Sequence, residues 1–251
     1  MEYKGYKLNE EQYNYYKERE KYLIPSNAID VVVLSQYNNK PYLLLNKLEE
    51  GKETKYSLIG GFARINKTFD ESVEEIVKEK SGLDFTEIPK QQIKTYSHPK
   101  RDSRGHIITT LYVIYIPYQE VENCEWFQVI LGEGMTLMGQ TTTILGADDD
   151  LLKFNGIEGH GDMIKDALIE LKETIYDKGE FLKVYTNGFT IREAWLFLQH
   201  IFRKELSRTN QRRLILKFSK EAGKERESGK VSAKVYELKT KEDYLEELDN
   251  S

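Results

Sequence analysis

Five carboxylates lie close together in the stretch GGFARINKTFDESVEEIVKEKSGL, residues 60–83. They are Asp70, Glu71, Glu74, Glu75 and Glu79. Several oxygen ligands on one helix face can hold divalent cations, which activate water for hydrolysis. The same acids can instead form the solvated face of a helix whose other face is apolar. The stretch therefore predicts either a metal-dependent catalytic site or a helix with a structural role.

A second candidate site lies in HPKRDSRGHIITTLY, residues 98–112. Arg101 and Arg104 can hold a phosphate group by paired hydrogen bonds, and Asp102 can orient one arginine or accept a hydroxyl group of a ribose or sugar. The alternative is a salt-bridged turn with Gly105 in a left-handed conformation. The residues leave both interpretations open.

Two further polar residues attract interest. Asp30 lies among the valines of a predicted strand and is either a hydrogen-bonded buried acid or a ligand contact. His160 precedes an amphipathic segment, and we interpret it as a helix-start or packing residue rather than a catalyst.

A basic block interrupts an otherwise acidic chain of 251 residues with a formal net charge of −5. Residues 181–238 carry 13 Lys or Arg against 6 Asp or Glu, whereas residues 1–180 carry 22 against 31 and residues 239–251 carry 2 against 5. A basic block is typical of a nucleic-acid-binding module, and a solvated basic face is the alternative.

The order of elements in this block is that of a winged helix-turn-helix. FTIREAWLFLQHIF, residues 189–202, predicts a helix whose start at Thr190 is fixed by a capping box with Glu193. A second, basic helix follows a short turn at residues 205–207, and its Leu214, Ile215 and Phe218 are predicted to pack. The alternation of KVSAKVYEL, residues 230–238, then predicts a strand of a basic hairpin, the wing.

This pattern predicts contacts with double-stranded DNA. Guanidinium groups near the start of the second helix can bind phosphates or the guanine edge, and Asn can bind adenine. The wing supplies lysine and arginine for phosphate contacts. The predicted DNA-binding residues are Arg208, Asn210, Arg212, Arg213, Lys217, Lys224, Arg226, Lys230 and Lys234. The alternative is a helical appendage with solvated arginines that serves dimerization.

The elements upstream predict an α/β (α+β) domain. Residues 28–35 and 41–48 form a predicted β-hairpin around paired asparagines, and residues 55–64 predict a short strand that ends in a glycine turn. Further predicted helices and strands follow, whereas residues 132–161 show no clear periodicity. The ranges are 9–22, 68–81 and 162–176 for helices and 106–117 and 125–130 for strands.

The composition excludes several classes of protein. The single cysteine, Cys124, excludes a disulfide framework within one chain and indicates a reducing compartment, and four histidines do not suggest a zinc cluster. No apolar run of 18 residues occurs, so no membrane contact is expected. We predict a cytoplasmic protein.

Residues 60–83 resemble the Nudix box, which runs Gly, five residues, Glu, seven residues, then Arg-Glu-apolar-any-Glu-Glu-any-Gly-apolar. Starting from Gly61, the spacing closes without a gap at Gly82 and Leu83. The resemblance covers most of residues 26–178, including Asp30 and the segment around His160. It implies an α/β/α sandwich with a mixed sheet.

The charges of the box are changed although its frame is intact. Lys67 stands at the position of the first Glu, Glu75 at that of the Arg, and Ile76 at that of the next Glu. The Glu-Glu pair becomes Glu79 and Lys80, so Glu79 is the one matched carboxylate. The resemblance therefore implies loss of the usual hydrolysis, with no catalytic residues, no metal ligands and no cofactor.

With its basic C-terminal block, the whole chain resembles the Nudix-related transcriptional regulators, and LSRTNQRRLI is similar to their recognition-helix segment, with Gln211 in place of an aromatic residue. The resemblance implies a homodimer that binds operator DNA and senses ADP-ribose, another nucleotide sugar or a sugar. It implies a sensing domain at 1–178 that includes the N-terminal helix, a winged helix at 182–240 and an acidic tail at 241–251. The implied effector-binding residues are Asp30, Phe62, Arg64, Glu79, Arg101, Asp102 and Arg104.

Two other functions remain as alternatives. One is a Nudix-type pyrophosphohydrolase with rearranged metal ligands and an accessory C-terminal domain. The other is a non-enzymatic nucleotide-binding or protein-interaction module.

Overall fold

The structure is a computed structural model, and it describes residues 1–3, 6–18, 25–50, 53–84, 89–131, 135–139, 144–146, 159–174, 179–202, 207–228 and 231–249. The helices are α1 (Glu10–Glu18), α2 (Phe69–Ser81), α3 (His160–Glu173), α4 (Ile191–Phe202), α5 (Arg208–Lys217) and α6 (Lys241–Asp249), with a 3₁₀ helix at Glu180–Val184. The strands are β1 (Glu2–Tyr3), β2 (Tyr6–Lys7), β3 (Ser26–Tyr37), β4 (Lys40–Glu50), β5 (Glu53–Ser57), β6 (Ile59–Phe62), β7 (Lys90–Tyr96), β8 (Ile107–Tyr115), β9 (Cys124–Leu131), β10 (Met135–Met138), β11 (Ile144–Gly146), β12 (Ser219–Ser228) and β13 (Val231–Leu238).

The largest sheet is built around β3. This strand pairs antiparallel with β4 and β6 and parallel with β8. The order along the sheet is β11-β10-β9-β4-β3-β8-β7, with β5 added to β4 and β6 added to β3. The parallel pair makes the sheet mixed, which confirms the predicted fold class.

Helices cover both faces of this sheet. Alternate residues of β3 point to opposite faces, so its apolar side chains contact both layers of helices. Val31 and Val33 pack with the apolar side of α2. Val32 and Leu34 pack on the other face with α3, the 3₁₀ helix and α4. The result is the predicted α/β/α sandwich, and Asp30 points to the α3 side by the same alternation.

The hairpin of β3 and β4 and the helix α2 follow from local sequence signals. Asn38 and Asn39 both have positive φ, at 50° and 60°, which matches the twist of a two-residue hairpin turn. Thr68 caps α2, its hydroxyl accepting from the Glu71 amide while the Glu71 carboxylate accepts from the Thr68 amide. Gly82 ends α2 with a φ of 71°. The predicted hairpin and the helix predicted at 68–81 are confirmed.

The predicted glycine turn after the third strand is wrong. Gly60 and Gly61 lie inside β6, where they pair with Asp30 and Ile29 of β3. A Cβ on Gly60 would lie 2.2 Å from the Asp30 carboxylate. Gly60 is therefore needed for the close approach of β6 to the Asp30 side chain and not for chain reversal.

The C-terminal block contains the predicted helix pair and hairpin. The α4 start has the predicted capping box, in which Thr190 and Glu193 each accept a hydrogen bond from the other residue's amide. Leu214, Ile215 and Phe218 of the second helix are buried, as predicted. Of the short turn predicted at 205–207, only Ser207 belongs to the described residues.

Two features at the C-terminus were not predicted from the sequence. The strand predicted at 230–238 has a partner strand, β12, that contains Gly223 at a bulge with a φ of 67°. Within the predicted acidic tail, Lys241–Asp249 form α6, and Thr240 and Asp243 form another reciprocal cap at its start. Asp243 also accepts a hydrogen bond from Lys220, which ties α6 to β12.

Other predicted elements are found with shifted ends. The N-terminal helix predicted at 9–22 is α1 up to Glu18, and residues 19–24 lie outside the described chain. The aperiodic stretch 132–161 contains the short strands β10 and β11 and the start of α3. No described helix has the length and apolar character that crossing a bilayer requires.

Candidate ligand cleft and candidate nucleic-acid interface

A cavity of about 480 Å³ opens beside β3 and β6, at the C-terminal end of α2. The turn at residues 101–105 and the first residue of α3 complete its wall. All seven predicted effector-binding residues line this one cavity, which we call the cleft: Asp30, Phe62, Arg64, Glu79, Arg101, Asp102 and Arg104.

Asp30 lies at the bottom of the cleft and is nearly inaccessible to solvent. Its Oδ2 accepts a hydrogen bond of 3.0 Å from the Thr109 hydroxyl of β8. Its Oδ1 lies 3.6 Å from Nε2 of His160. Asp30 is thus a hydrogen-bonded buried acid and also part of the cleft wall, so the two interpretations of this residue are compatible.

His160 is both a helix-start residue and a cleft residue. It is the first residue of α3, and its Nδ1 accepts a hydrogen bond of 3.2 Å from the Leu58 amide. Burial lowers the pKa of His160, and the positive charges of Arg101 and Arg104 lower it further against the attraction of Asp30 and Asp102. The imidazole is therefore neutral at pH 7, with Nε2 carrying the proton and facing Asp30.

The turn at residues 101–105 is salt-bridged and also lines the cleft. Arg104 donates from Nε and Nη2 to the two Asp102 carboxylate oxygens, at 2.9 and 2.7 Å. This hydrogen bonding lowers the pKa of Asp102 and raises that of Arg104. Gly105 has a φ of 148°, as the turn requires. The Arg104 guanidinium also lies 5.6 Å from the centre of the Phe62 ring.

Arg101 differs from Arg104 in its surroundings. Only 6% of Arg101 is exposed, although it lines the cleft. Its buried Nε has no hydrogen-bond partner among the described residues. A buried guanidinium with a free donor is unfavourable unless a ligand satisfies it.

The carboxylates of α2 are occupied by basic side chains. Arg64 donates a hydrogen bond to Glu79, and its Nε lies 3.7 Å from Glu75. Lys67 forms an ion pair with Glu75. The box has Glu and Arg at these two positions, and this chain has Lys67 and Glu75. The charges are thus reversed at both positions, and the two side chains still neutralise each other.

Two more acids of α2 also have other partners. Glu71 takes part in the helix cap, and Glu74 forms an ion pair with Lys90 of β7. Ile76 is buried against the sheet and has no oxygen to offer. Within the described ranges, no group of three or more His, Cys, Asp or Glu is arranged to hold a metal ion. The described residues of the box therefore do not fit the metal that the box implies.

Several cleft residues were not predicted from the sequence. They are Asn46, Ser57, Lys80 and Thr109, together with His160, which was interpreted as a packing residue. Asn46 and Ser57 face each other across the β4–β5 pair. Alternation along β8 could have indicated that Thr109 faces the same side of the sheet as Asp30. The pairing of β3 with β8 was not predictable, because Asp30 and Thr109 are 79 positions apart in the chain.

The second candidate site is the exposed face of α5. The side chains of Arg208, Asn210, Arg212, Arg213 and Lys217 are exposed, as predicted. Ser207 caps the helix by accepting from the Asn210 amide. α5 contains no acidic residue, and no ion pair joins Arg212 or Arg213 to the part of the chain that the structure describes.

A groove of about 520 Å³ lies between the starts of α4 and α5 and the strand β13. Arg208 stacks on Trp195 in this groove, with 4.9 Å from the guanidinium carbon to the ring centre. Its rim also carries Arg192, Arg212 and Lys234. The groove therefore presents four basic residues over an apolar floor.

The predicted basic wing is less basic than its lysines and arginines suggest. Arg226 donates to the backbone carbonyls of Asn187 and Gly188 at 3.0 and 3.2 Å. Lys234 forms an ion pair with Glu221 on the partner strand. Lys224 is exposed, and Lys230 lies outside the described residues. Two of the four predicted wing cations thus have structural partners.

Gln211 stands on the buried side of α5 and is 1% exposed. Neither its Oε1 nor its Nε2 has a hydrogen-bond partner among the described residues. A buried amide without partners destabilises the fold. The replacement of the aromatic residue at this position therefore leaves a local packing defect.

The chain is similar over most of its length to solved structures. A MutT/nudix family protein from Enterococcus faecalis is 24% identical, with a TM-score of 0.72 over 92% of this chain and 99% of that one. Shewanella oneidensis NrtR, in a crystal structure complexed with a 27mer DNA, is 17% identical, with a TM-score of 0.63 over 84% of this chain and 93% of that one.

One curated relative is similar in sequence over a shorter region. The ADP-ribose pyrophosphatase of Methanocaldococcus jannaschii is 35% identical over 95 residues, which are 37% of this chain and 52% of that protein. The chain thus spans about half the length of this relative. No family model matches the chain. The described part of residues 26–174 therefore has the Nudix fold of these solved structures, and a C-terminal extension of two helices, a hairpin and a final helix follows it.

Proposed function

We propose that the chain is a DNA-binding transcriptional regulator. Its cleft binds a small effector, such as ADP-ribose, another nucleotide sugar or a sugar, and does not hydrolyse it. Binding in the cleft changes the affinity of the C-terminal helix pair for operator DNA.

The observation that carries this proposal is the contrast between two sets of cleft residues. The seven predicted ligand-binding residues converge on one cavity, whereas the α2 acids near it are neutralised by Arg64 and Lys67. Hydrolysis by the usual route needs several free carboxylates to hold divalent cations. Such a cleft suits retention of a ligand better than its cleavage.

The exposed face of α5 supports the DNA-binding part of the proposal. Its arginines and Asn210 have the residue types that bind phosphates and base edges. Together with α4 and the β12–β13 hairpin, α5 makes a winged helix-turn-helix in which the second helix enters the major groove. The similarity to NrtR, solved in complex with DNA, agrees with this assignment.

A continuous apolar core gives the two sites a physical connection. Phe197 and Leu198 of α4 belong to the same core as Val32 of the central strand. Tyr185 donates a hydrogen bond of 2.9 Å to the Glu193 carbonyl and lies 3.4 Å from the Asn39 side chain at the hairpin tip. An effector shifts DNA affinity by the difference between its affinities for the two arrangements of this core.

The domain organisation and assembly belong to the same proposal. Residues 1–178 form the sensing domain and residues 182–240 the winged helix. The functional unit is a homodimer, since two identical DNA-binding helices match the two halves of a palindromic operator.

A salt series on double-stranded DNA tests the DNA-binding part. The variant with Arg212→Ala and Arg213→Ala is expected to elute from immobilised DNA at lower salt than the wild type. Each lost phosphate contact reduces the dependence of binding on salt by about one unit of slope on logarithmic axes. The matched control removes Lys78 and Lys172, two exposed lysines of α2 and α3.

The control variant is expected to elute with the wild type. Equal retention of all three proteins would leave a non-enzymatic nucleotide-binding or interaction module as the better description. The folding of each variant is checked by its thermal unfolding midpoint.

A thermal-shift screen tests the sensing part. A ligand that binds only the folded state raises the unfolding temperature by mass action. We expect a shift with at least one nucleotide, nucleotide sugar or free sugar, and loss of that shift in Arg101→Ala. A broad panel without a shift contradicts the sensor proposal.

The alternative function is a pyrophosphohydrolase with rearranged metal ligands. The similarity over 95 residues to a protein named ADP-ribose pyrophosphatase favours it. It predicts magnesium-dependent release of products from ADP-ribose that is abolished by Glu79→Gln. We expect no such release.

A further inference from the structure

Lys80 occupies the box position where the second carboxylate of the Glu-Glu pair is expected. It follows Glu79 on α2 and lines the cleft with it. Its side chain is exposed, and its ammonium group has no ion pair with the described residues. A positive charge therefore stands where the box would place a metal ligand.

The charges around the cleft do not cancel in the way a metal site requires. Arg64 neutralises Glu79, and Arg104 neutralises Asp102. Among the described residues that line the cleft, the cations Lys80 and Arg101 then remain against the carboxylate of Asp30, and His160 adds no charge because burial lowers its pKa. A divalent cation beside Lys80 and Arg101 would be repelled rather than bound.

The same two cations suit an anion. Arg101 has a buried Nε donor without a partner among the described residues, and the exposed Lys80 has three N–H donors in the cleft lining. A diphosphate carries enough negative charge and enough acceptor oxygens to satisfy both groups at once. The cavity of about 480 Å³ leaves room for the rest of a nucleotide sugar.

We propose that Lys80 and Arg101 hold the diphosphate of the effector directly, in place of a divalent cation, so that the ligand binds without metal. This inference rests on the proposed sensing function and narrows it to ligands that contain a diphosphate. Lys80 contributes the charge that a metal ion supplies in a working box. The change from Glu to Lys at this position thus turns a metal site into an anion site.

Calorimetric titration of the full chain with inorganic pyrophosphate and with ADP-ribose tests the inference, each in excess EDTA and in excess magnesium. We expect the same dissociation constant, within about twofold, in both buffers. Lys80→Ala is expected to weaken binding on the order of tenfold, the usual effect of losing one charge-assisted contact. Adenosine and ribose, which lack the diphosphate, are expected not to bind measurably.

Charge reversal gives a sharper readout. Lys80→Glu is expected to abolish binding in EDTA and to restore part of it when magnesium is added, because the new carboxylate can recruit a cation. Lys78→Ala is the matched control, since Lys78 stands one half-turn away on α2 and pairs with Asp84 outside the cleft. This control is expected to bind pyrophosphate and ADP-ribose as the wild type does.

Wild-type binding that requires magnesium, or unchanged binding in Lys80→Ala, overturns this inference. Binding of neither probe in either buffer also overturns it. In each case the proposed function is judged separately, by whether any ligand from the thermal-shift panel changes DNA retention. If a free sugar changes DNA retention, the proposed regulatory function stands and the inference that the effector contains a diphosphate is wrong.

Discussion

The cleft and the exposed face of α5 both present arginines, but the two regions hold them differently. In the cleft, Arg64 and Arg104 are paired with carboxylates, and Arg101 is 6% exposed. On α5, Arg212 and Arg213 are exposed and have no ion pair within the described chain. Paired, partly buried arginines have fixed directions, whereas solvated ones can adapt to a repeated array of phosphates.

Arginine can therefore serve two modes of recognition, one for a small ligand and one for DNA. A small ligand requires donors that are already oriented, because each flexible side chain loses entropy on binding. DNA supplies many equivalent phosphates, so the number and exposure of the cations matter more than their exact directions. If this comparison holds, substitutions in the cleft, on α5 and in the core that joins them have different effects on stability and on ligand binding.

The largest effect is expected from Phe197→Ala, which removes a fully buried ring from the core that α4 shares with the sheet. We expect a loss of about 4 kcal/mol in the free energy of unfolding, with one cooperative transition. Chemical denaturation followed by two spectroscopic probes measures this loss.

The control for Phe197 is Leu245→Ala on α6, where 51% of the side chain is exposed and the expected loss is below about 0.5 kcal/mol. Two separate transitions, of which only one responds to Phe197→Ala, would show that the regions unfold independently. That result would break the proposed connection between the cleft and α5.

A second effect is expected from Gly60→Ala, which places a Cβ 2.2 Å from the Asp30 carboxylate. We expect a loss of about 2 kcal/mol and loss of any ligand-induced thermal shift, because Asp30 must move. Gly61→Ala is the neighbouring control, since its Cβ would lie 3.4 Å from Ile76, an ordinary contact. Equal effects of the two substitutions on the unfolding temperature would contradict the role assigned to Gly60.

A gain in stability is expected from a substitution on α5, at Gln211. Gln211→Met keeps the length of the side chain and removes two buried polar atoms that lack partners. We expect the free energy of unfolding to rise by about 1 kcal/mol, with DNA retention unchanged because Arg212 and Arg213 remain exposed. Gln199→Met on α4, where the side chain is half-buried, serves as the control. A destabilised Gln211→Met protein would mean that the amide has a role that the described contacts do not include.

The effect that is weakest at neutral pH concerns His160, whose pKa is lowered in the folded state by burial. The unfolded state then binds more protons, so the free energy of unfolding falls as the pH drops through the ordinary histidine pKa of about 6.5. Asp102, whose pKa is lowered by its hydrogen bonds to Arg104, contributes stability that is lost at much lower pH, around and below the ordinary Asp value.

Denaturant unfolding at a series of pH values above and below 6.5 measures the His160 effect. In His160→Gln, we expect the loss of stability in this range to become smaller. A pH profile that is the same in the wild type and in His160→Gln would contradict the neutral, buried state of this imidazole.

Local signals in the sequence were sufficient for much of the fold. The cap at Thr190, the Asn38–Asn39 turn and the apolar side of α2 each depend on residues a few positions apart. The resemblance to the Nudix box also assigned each change of charge to a defined position of the box.

Long-range contacts explain what the sequence analysis did not provide. The glycine turn was a wrong prediction because Gly60 is required by Asp30, which lies on another strand and 30 positions earlier in the chain. The paired wing cations depend on the β12–β13 register and on a contact with the backbone of Asn187. The resemblance placed Lys80 at a carboxylate position of the box, but its place in the lining of the same cleft as Arg101 depends on the packing of α2 against the sheet.

The most direct test of the account is the retention of the full chain on double-stranded DNA of mixed sequence, in a salt series with EDTA, with and without saturating ADP-ribose. The account predicts that the protein is retained and that ADP-ribose changes the salt concentration of elution, because the ligand binds the two arrangements of the shared core unequally. Elution at the same salt concentration with and without ADP-ribose, in a protein whose unfolding temperature ADP-ribose raises, would contradict it.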